Sequence, residues 1–222
     1  YIDVDRVPDL AASDDARALL ARESHRIAAL SARASVDYTP VWQVKHATLQ
    51  ACFERFLQRG TGDPLVAEFD RFAAAGGAPL EQFALFEAIA AAHPRVPWQE
   101  WPHALREPDA SGIADFAGRH ARRVRFSIYL QWLADRQLGA AARHARASGL
   151  TFGLFRDLAV GAAPDGAEVW ANPSGFARGA SIGAPPDPFS IAGQNWNLPP
   201  PNPGTLVASA CAGFGALLAA NM

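Results

Sequence analysis

The sequence predicts an α/β protein whose first part is mainly helical. Helical composition and helical spacing of apolar residues dominate residues 14–147. The period then changes, because residues 150–155 (LTFGLF) form a short apolar run with β-branched and aromatic side chains, the pattern of a buried parallel strand. Residues 172–204 are rich in proline and glycine, which indicates a long, ordered and functional loop.

The length and composition are those of a globular protein with a sizeable core. The chain has 222 residues, of which 50% are hydrophobic and 19% charged, so we expect one large domain or two small ones. Twenty basic and 22 acidic residues give a net charge of −2, and no run of lysine and arginine marks a basic patch. Neither nucleic acid nor a membrane is therefore expected as a partner.

The cysteines favour a cytoplasmic protein, and the apolar end of the sequence does not indicate a membrane span. Cys52 and Cys211 lie far apart and match no metal spacing, so a disulfide framework is not expected and a reducing cytoplasm fits best. Residues 204–222 are uncharged and long enough to raise a transmembrane interpretation. They lack aromatic and basic anchors, however, so a buried helix is favoured.

Start and stop signals divide the helical part into several helices. The predicted starts are Asp14, Asp37, Asp63 followed by Pro64, and Ala78 followed by Pro79, and the predicted stops are Gly60 and Gly76-Gly77. Residues 111–147 are expected to form a further helix in two pieces, and residues 167–170 are a candidate short strand.

The first candidate site residue is Asp157, which follows the predicted strand in the segment FRDLAVG. Polar residues at the carboxyl ends of strands face the active site in α/β barrels. The alternative is an aspartate that pairs with the adjacent Arg156 or caps a turn, and the spacing alone does not decide between the two.

The second candidate site is the loop 183–196 (GAPPDPFSIAGQNW). A sugar site needs an aromatic face for the C–H side of the ring and planar polar groups for its hydroxyls. The loop offers both kinds of side chain, in Asp187, Phe189, Gln194, Asn195 and Trp196. The alternative is a proline-stiffened structural loop whose tryptophan fills the core.

Motifs for several other chemistries do not occur in the sequence. The glycine-containing segments lack the strand and helix context of a phosphate-binding loop. None of the six histidines belongs to an HExxH motif or pairs with cysteine at ligand spacing. Ser174 and Ser181 lie outside any GxSxG elbow. We therefore expect no metal and no cofactor.

Several segments resemble the amylomaltases, the bacterial 4-alpha-glucanotransferases. The main blocks are YLQWLADRQL at 129–138, GLFRDLAVGAAPDGAEVW at 153–170 and GAPPDP…GQNWNLPP at 183–200. The opening YIDV, the segment VDYTPVWQVKHATLQ and the closing LLAANM are similar to that family in the same order, so the resemblance spans essentially the whole chain. The sequence departs from the family pattern at Pro188, Asn197 and Ala219, and in the apolar segment 206–217.

The resemblance implies part of a (β/α)8 TIM barrel with a large, mainly helical insertion subdomain. Residues 1–121 would form the helical insertion, and residues 122–222 a barrel segment with the substrate loop 183–204. By similarity, Phe189, Gln194 and Trp196 would contact sugar, with Asp187 nearby.

The resemblance also implies a retaining transfer of α-1,4-glucan segments between malto-oligosaccharides. The nucleophilic aspartate, the acid/base glutamate and the stabilising aspartate are expected beyond Met222, so no catalytic residue is assigned in this chain. We accordingly expect an internal piece of such an enzyme that is inactive by itself. The alternative is a non-catalytic glucan-binding or helical scaffold module.

Overall fold

The computed structural model describes residues 1–109, 111–159 and 161–221. Its α-helices are α1 (Asp14–Arg22), α2 (Ser24–Ser31), α3 (Tyr38–Leu57), α4 (Pro64–Ala92), α5 (Ser111–Arg119), α6 (Ala121–Ala147), α7 (Ala167–Ala171), α8 (Pro203–Ala208) and α9 (Ala212–Asn221). The strands β1 (Ile182–Ala184) and β2 (Gln194–Leu198) form an antiparallel pair. Single 3-10 turns cover Val4–Arg6, Trp98–Glu100, His103–Leu105 and Pro173–Gly175.

The chain folds into two compact units that are interleaved along the sequence. The first contains Tyr1–Gly77 and Arg125–Thr151, and the second contains Ala78–Val124 and Phe152–Met222. These units do not coincide with the predicted regions 1–121 and 122–222, and that assignment to an insertion and a barrel segment stays a prediction.

Most of the predicted helix boundaries in the first unit are confirmed. The Ser13 hydroxyl caps α1 by accepting the Ala16 N–H at 3.2 Å. The Asp63 carboxylate does the same for α4, where it accepts the Leu65 N–H at 2.8 Å. Gly77 has φ of 49° and ψ of −148°, a left-handed conformation that interrupts α4 where the stop was predicted.

The core of the first unit is aromatic and comes mainly from α3 and α6. The Phe56 ring centroid lies 5.1 Å from that of Tyr129, 5.5 Å from that of Trp132 and 5.2 Å from that of Phe69. Tilted and edge contacts of this kind stabilise a core beyond the burial of apolar area. The apolar spacing in the sequence predicts this face of α3.

A buried polar network joins the segment before α1 to this core. The Asp9 side chain is fully buried, and Arg59 Nε donates to its Oδ1 at 2.8 Å. Tyr129 Oη donates to Asp9 Oδ2 at 3.3 Å, and burial raises the pKa of this phenol well above its usual range. Arg59 Nη1 also reaches Asp63 Oδ2 at 2.6 Å. The buried carboxylate therefore has partners on both oxygens.

The second unit packs around three tryptophans whose indole N–H groups all find acceptors. Trp98, Trp101 and Trp170 are buried, and their Nε1 atoms donate to the carbonyls of Pro164, Val96 and Leu105 at 3.0 to 3.1 Å. The Phe86 ring lies 5.2 Å from Trp101 and 5.8 Å from Trp170. Trp98 and Trp101 of this cluster belong to the aromatic loop WQEWP at residues 98–102.

The predicted strand at residues 150–155 is wrong for this chain. The segment has no regular structure, and the Phe152 and Phe155 side chains are 95% and 96% exposed. A strand needs neighbours that pair with its backbone N–H and C=O groups, and no strand of the described residues pairs with this segment.

Two further expectations for the second unit are corrected. Residues 167–170 belong to α7 instead of a strand, because Trp170 N–H donates to Gly166 C=O and turns Val169 and Trp170 into the core. The apolar end of the chain, predicted as one buried helix, forms two helices, α8 and α9, and residues 207–220 are exposed instead of buried. A helix that is apolar all round is buried only where other elements cover most of its sides.

The sequence predicts an α/β class, whereas the described residues form mainly helices and one small antiparallel sheet. A barrel is not seen among the described residues. None of the helices in that part of the chain has both the length and the apolar character needed to cross a bilayer.

Candidate functional site

The predicted sugar loop folds as a β-hairpin in the second unit. Strand β1 pairs with β2 so that Gly183 lies opposite Asn195 and Ala184 lies opposite Gln194. The strands approach so closely at Gly183 that a Cβ on this residue would lie 2.0 Å from the Gln194 carbonyl oxygen. A residue without a side chain is therefore required at position 183.

The tip of the hairpin is held by Asp187. Its Oδ1 accepts the backbone N–H groups of Phe189 at 2.8 Å and Ser190 at 2.7 Å. Ser190 Oγ in turn donates to the Gly193 carbonyl at 2.8 Å. These bonds fix a tight turn that leaves the Phe189 side chain 100% exposed. The turn thus presents an apolar ring to solvent on a constrained backbone.

Trp196 and Gln194 form a hydrogen-bonded pair on β2. Trp196 Nε1 donates to Gln194 Oε1 at 2.9 Å, and the indole is 42% exposed. Because the amide oxygen is engaged, the Gln194 NH₂ group remains as a donor toward solvent. An aromatic face and an amide donor are therefore presented side by side.

Asn195 bridges the two strands through its side-chain oxygen. Its Oδ1 accepts the Ser181 hydroxyl at 2.5 Å and the Asn197 backbone N–H at 2.8 Å. Asn197 has φ of 54°, in the left-handed region that favours glycine but that asparagine tolerates. Its φ is compatible with the family pattern, in which a glycine is usual at this position.

A cavity of about 750 Å³ lies on the polar side of the hairpin. Gln99 forms part of its wall and is oriented by a 2.9 Å hydrogen bond from its Nε2 to the Pro164 carbonyl. The lining residues are Gln99, Pro164, Val169, Arg178, Gly179, Ala180, Ser181, Ile182, Gly183, Gln194, Asn195, Asn197 and Pro199. Their polar side chains are four amides, one hydroxyl and one guanidinium, which suit the hydroxyls of a neutral sugar.

The structure brings some of the predicted site residues together. Gln194 and Asn195 line the cavity, whereas Trp196, Phe189 and Asp187 belong to the same hairpin outside its lining. Asp157 is exposed in an irregular segment and is not among the lining residues. The adjacent Arg156 donates from Nη1 to the Ala220 carbonyl at 3.0 Å. No ion pair between Arg156 and Asp157 is found among the described residues.

Sequence reasoning did not assign four polar lining residues, namely Gln99, Arg178, Ser181 and Asn197. Two of them carried a usable signal. Arg178 is one of two charged residues after position 171, and Gln99 belongs to the tryptophan-rich loop. The cross-strand partner of Ser181 depends on the hairpin register, which the sequence does not reveal.

The cavity has no carboxylate among its described lining residues. Within the described part of the chain, no cluster of three histidine, cysteine, aspartate or glutamate side chains could hold a metal ion. The arrangement can bind and orient a polyhydroxylated ligand. Acid–base chemistry on that ligand needs carboxylates that the cavity lining does not provide.

The comparison with protein families gives a match over residues 1–222, and the matching family is glycoside hydrolase family 77, described as 4-alpha-glucanotransferase. The chain belongs to this family. The 4-alpha-glucanotransferase of Mycobacterium tuberculosis is 38% identical over 186 residues, which cover 84% of this chain and 25% of that relative. The family member of Haemophilus influenzae is 32% identical over 235 residues, which cover 100% of this chain and 34% of that relative.

Solved structures of the family have a similar fold. The amylomaltase from Corynebacterium glutamicum gives a TM-score of 0.74 at 29% identity and covers 94% of this chain and 27% of its own. The amylomaltase from Streptococcus agalactiae, solved in complex with acarbose, gives 0.79 at 19% identity and covers 99% and 43%. The chain spans a quarter to a third of the length of the curated relatives from Mycobacterium tuberculosis and Haemophilus influenzae.

Proposed function

We propose that this chain is part of a 4-alpha-glucanotransferase that moves α-1,4-glucan segments between malto-oligosaccharides. The match of the family over all of residues 1–222 is the observation that carries the proposal. The amylomaltase from Streptococcus agalactiae, solved with acarbose, supports a carbohydrate ligand for this fold. We further propose that the full-length protein forms the (β/α)8 barrel implied by the family resemblance, and that sequence outside this chain supplies the remaining strands.

The hairpin 182–198 is proposed as a glucan-binding element. Trp196 and Phe189 offer exposed aromatic faces on a backbone that Asp187 and the strand pairing constrain. The Gln194 amide offers a donor beside the indole. Stacking of a sugar ring on an aromatic face, together with a hydrogen bond to a hydroxyl, is the combination that binds a neutral carbohydrate.

The proposed reaction proceeds with retention, through a carboxylate nucleophile and a second carboxyl group that acts as acid and base. No carboxylate lines the described cavity, so in this proposal the hairpin binds the sugar and does not carry out bond cleavage. An apolar, stiff tip at Phe189 would also help to exclude water, which favours transfer to a sugar hydroxyl over hydrolysis.

A substrate role of Asp157 and a cytoplasmic location are also proposals. Asp157 is proposed to bind substrate only through the family resemblance, since the described structure does not bring it to the hairpin. A cytoplasmic location rests on cysteine usage alone.

The test is a transfer assay on the full-length protein, expressed from the complete reading frame that encodes this chain. Incubation with maltotriose is expected to give glucose and longer malto-oligosaccharides, resolved by chromatography. Trp196→Ala is expected to lower kcat/KM for maltotriose, whereas Tyr38→Ala, an exposed aromatic residue of the other unit, serves as the matched control.

The competing function is a non-catalytic glucan-binding or scaffold module. It predicts that the full-length protein binds maltoheptaose but forms no new oligosaccharides from maltotriose. That result would exclude the transferase proposal and leave the binding role of the hairpin intact.

A further inference from the structure

We propose that Asn195 is a positioning residue that sets the orientation of Trp196 in the sugar-free protein, through its bonds to Ser181 and Asn197. This inference rests on the proposed glucan-binding role of the hairpin. It assigns to Asn195 a task different from direct contact with the sugar.

The first argument is the place of the Asn195 oxygen in the hairpin. Oδ1 accepts from Ser181 Oγ, in the residue before β1, and from the Asn197 N–H, two residues further along β2. The Ser181 hydroxyl has one hydrogen, and its 2.5 Å contact with Asn195 is shorter than the 3.1 Å contact with the Ile182 carbonyl. One side-chain oxygen thus ties together the two sides of the hairpin.

The second argument is the backbone on either side of Trp196. Asn195 precedes the tryptophan, and Asn197, with φ of 54°, follows it. Left-handed backbone costs about 1 kcal/mol for residues other than glycine, so this conformation persists only where other contacts hold it. The bond from Asn197 N–H to Asn195 Oδ1 is such a contact. It fixes the peptide units that orient the indole.

The third argument is the pairing of the indole itself. Trp196 Nε1 reaches Gln194 Oε1 only if the backbone between the two residues holds its present twist. Loss of the Asn195 bonds would release Asn197 and let Trp196 leave Gln194. The indole would then have to be reordered when a sugar binds, which weakens the affinity.

The experiment compares isosteric and truncating changes in the full-length protein. Asn195→Asp keeps an oxygen that accepts from Ser181 and Asn197, whereas it loses the NH₂ group. Asn195→Ala loses both the accepting oxygen and the NH₂ group. Ser181→Ala removes the bond from the opposite side, and Ser181→Thr retains a hydroxyl.

The first readout is fluorine NMR of protein labelled with 5-fluorotryptophan, without sugar, with the Trp196 signal assigned through Trp196→Phe. We expect Asn195→Ala and Ser181→Ala to shift or broaden the Trp196 signal, and Asn195→Asp and Ser181→Thr to leave it in place. An unmoved Trp196 signal in Asn195→Ala would overturn the proposal.

The second readout is the Kd for maltoheptaose, measured by calorimetry. Asn195→Ala is expected to weaken binding about fivefold to tenfold, because it breaks the bonds to both Ser181 and Asn197. Ser181→Ala breaks only the first of these bonds and is expected to weaken binding less, and the double variant is expected to lose no more than Asn195→Ala. Asn195→Asp is expected to stay within about twofold of the unaltered protein. Equal losses in Asn195→Asp and Asn195→Ala would show that the amide NH₂ contacts the sugar, and would overturn the positioning role.

The two proposals fail differently. If the unaltered protein does not bind maltoheptaose, the glucan-binding proposal fails, while the fluorine signal of Trp196 still reports whether Asn195 positions the indole.

Discussion

Trp196 Nε1 donates a 2.9 Å hydrogen bond to Gln194 Oε1, so the indole fixes which end of the amide faces solvent. The Gln194 NH₂ group remains free to donate to a ligand, whereas its oxygen already accepts the indole N–H. In the proposed glucan site, the amide of this pair would donate to sugar oxygens while the indole ring offers a stacking face.

Gln194→Glu should separate these two functions. The carboxylate still accepts from Trp196 Nε1, but it replaces the outward NH₂ donor by an acceptor. We expect the Kd for maltoheptaose to rise about tenfold, because one hydrogen bond to the ligand is lost. The Kd is measured by calorimetry on the full-length protein. Tyr38→Phe is the matched control for an isosteric polar change outside the hairpin, and an unchanged Kd in Gln194→Glu would argue against a donor role of this amide.

The close approach of the strands at Gly183 gives a second prediction. An alanine Cβ at this position would lie 2.0 Å from the Gln194 carbonyl oxygen, so Gly183→Ala must separate β1 from β2. We expect faster amide hydrogen exchange across residues 182–198 and at least a tenfold loss of maltoheptaose affinity. Gly60→Ala is the control, because nothing lies within 4 Å of a Cβ there. Unaltered exchange in Gly183→Ala would contradict the strand register.

The sequence was informative where local chemistry decides the structure. Asp63 with Pro64 starts α4, and Gly77 interrupts it, because capping and backbone freedom act over a few residues. The sequence offers Gln194 and Asn195 as candidate amides for the same reason, since both belong to one contiguous loop, and both line the cavity.

Prediction from sequence was less successful where partners distant in the chain decide the structure. The apolar pattern of residues 150–155 indicates a strand, but a strand forms only beside another strand, and none of the described residues pairs with it. The register that places Ser181 beside Asn195, 14 residues away, depends on the hairpin tip. Gln99 reaches the cavity through a bond to Pro164, 65 residues further along the chain.

The buried Asp9–Arg59 pair gives a third prediction. Arg59 Nε lies 2.8 Å from Oδ1 of the fully buried Asp9 carboxylate. Arg59→Met leaves this carboxylate without its cationic partner. Removal of one partner from a buried pair typically costs about 3 to 5 kcal/mol, and we expect the free energy of unfolding in urea to fall by roughly the lower value. The double variant Asp9→Asn, Arg59→Met should recover part of the loss. Additive effects of the two changes would mean that the pair is not coupled.

The two cysteines should differ in reactivity. Cys52 is buried in the first unit, and its pKa is raised to about 12, mainly by burial and in part by the nearby Asp9 carboxylate. Since the thiolate is the nucleophile, iodoacetamide at neutral pH should leave Cys52 unmodified in the folded protein. Exposed Cys211 is expected to react, and mass spectrometry of the peptides distinguishes the two sites. Alkylation of Cys52 at a similar rate, without denaturant, would show that the first unit opens readily.

The cap of α4 should make stability depend on pH in the acid range. The pKa of Asp63 is lowered, first because Leu65 N–H donates to its carboxylate and then because Arg59 does. A lowered pKa in the folded state stabilises the protein at pH values above the ordinary aspartate pKa of about 3.9, and this contribution is lost as the pH falls through the folded-state pKa.

Asp63→Asn keeps a cap oxygen without the charge. The difference in unfolding free energy between the unaltered protein and Asp63→Asn, measured in urea, is therefore expected to be largest near neutral pH and to shrink as the carboxylate protonates. A difference that stays constant from about pH 7 to about pH 2 would mean that the charge of Asp63 contributes nothing to the cap.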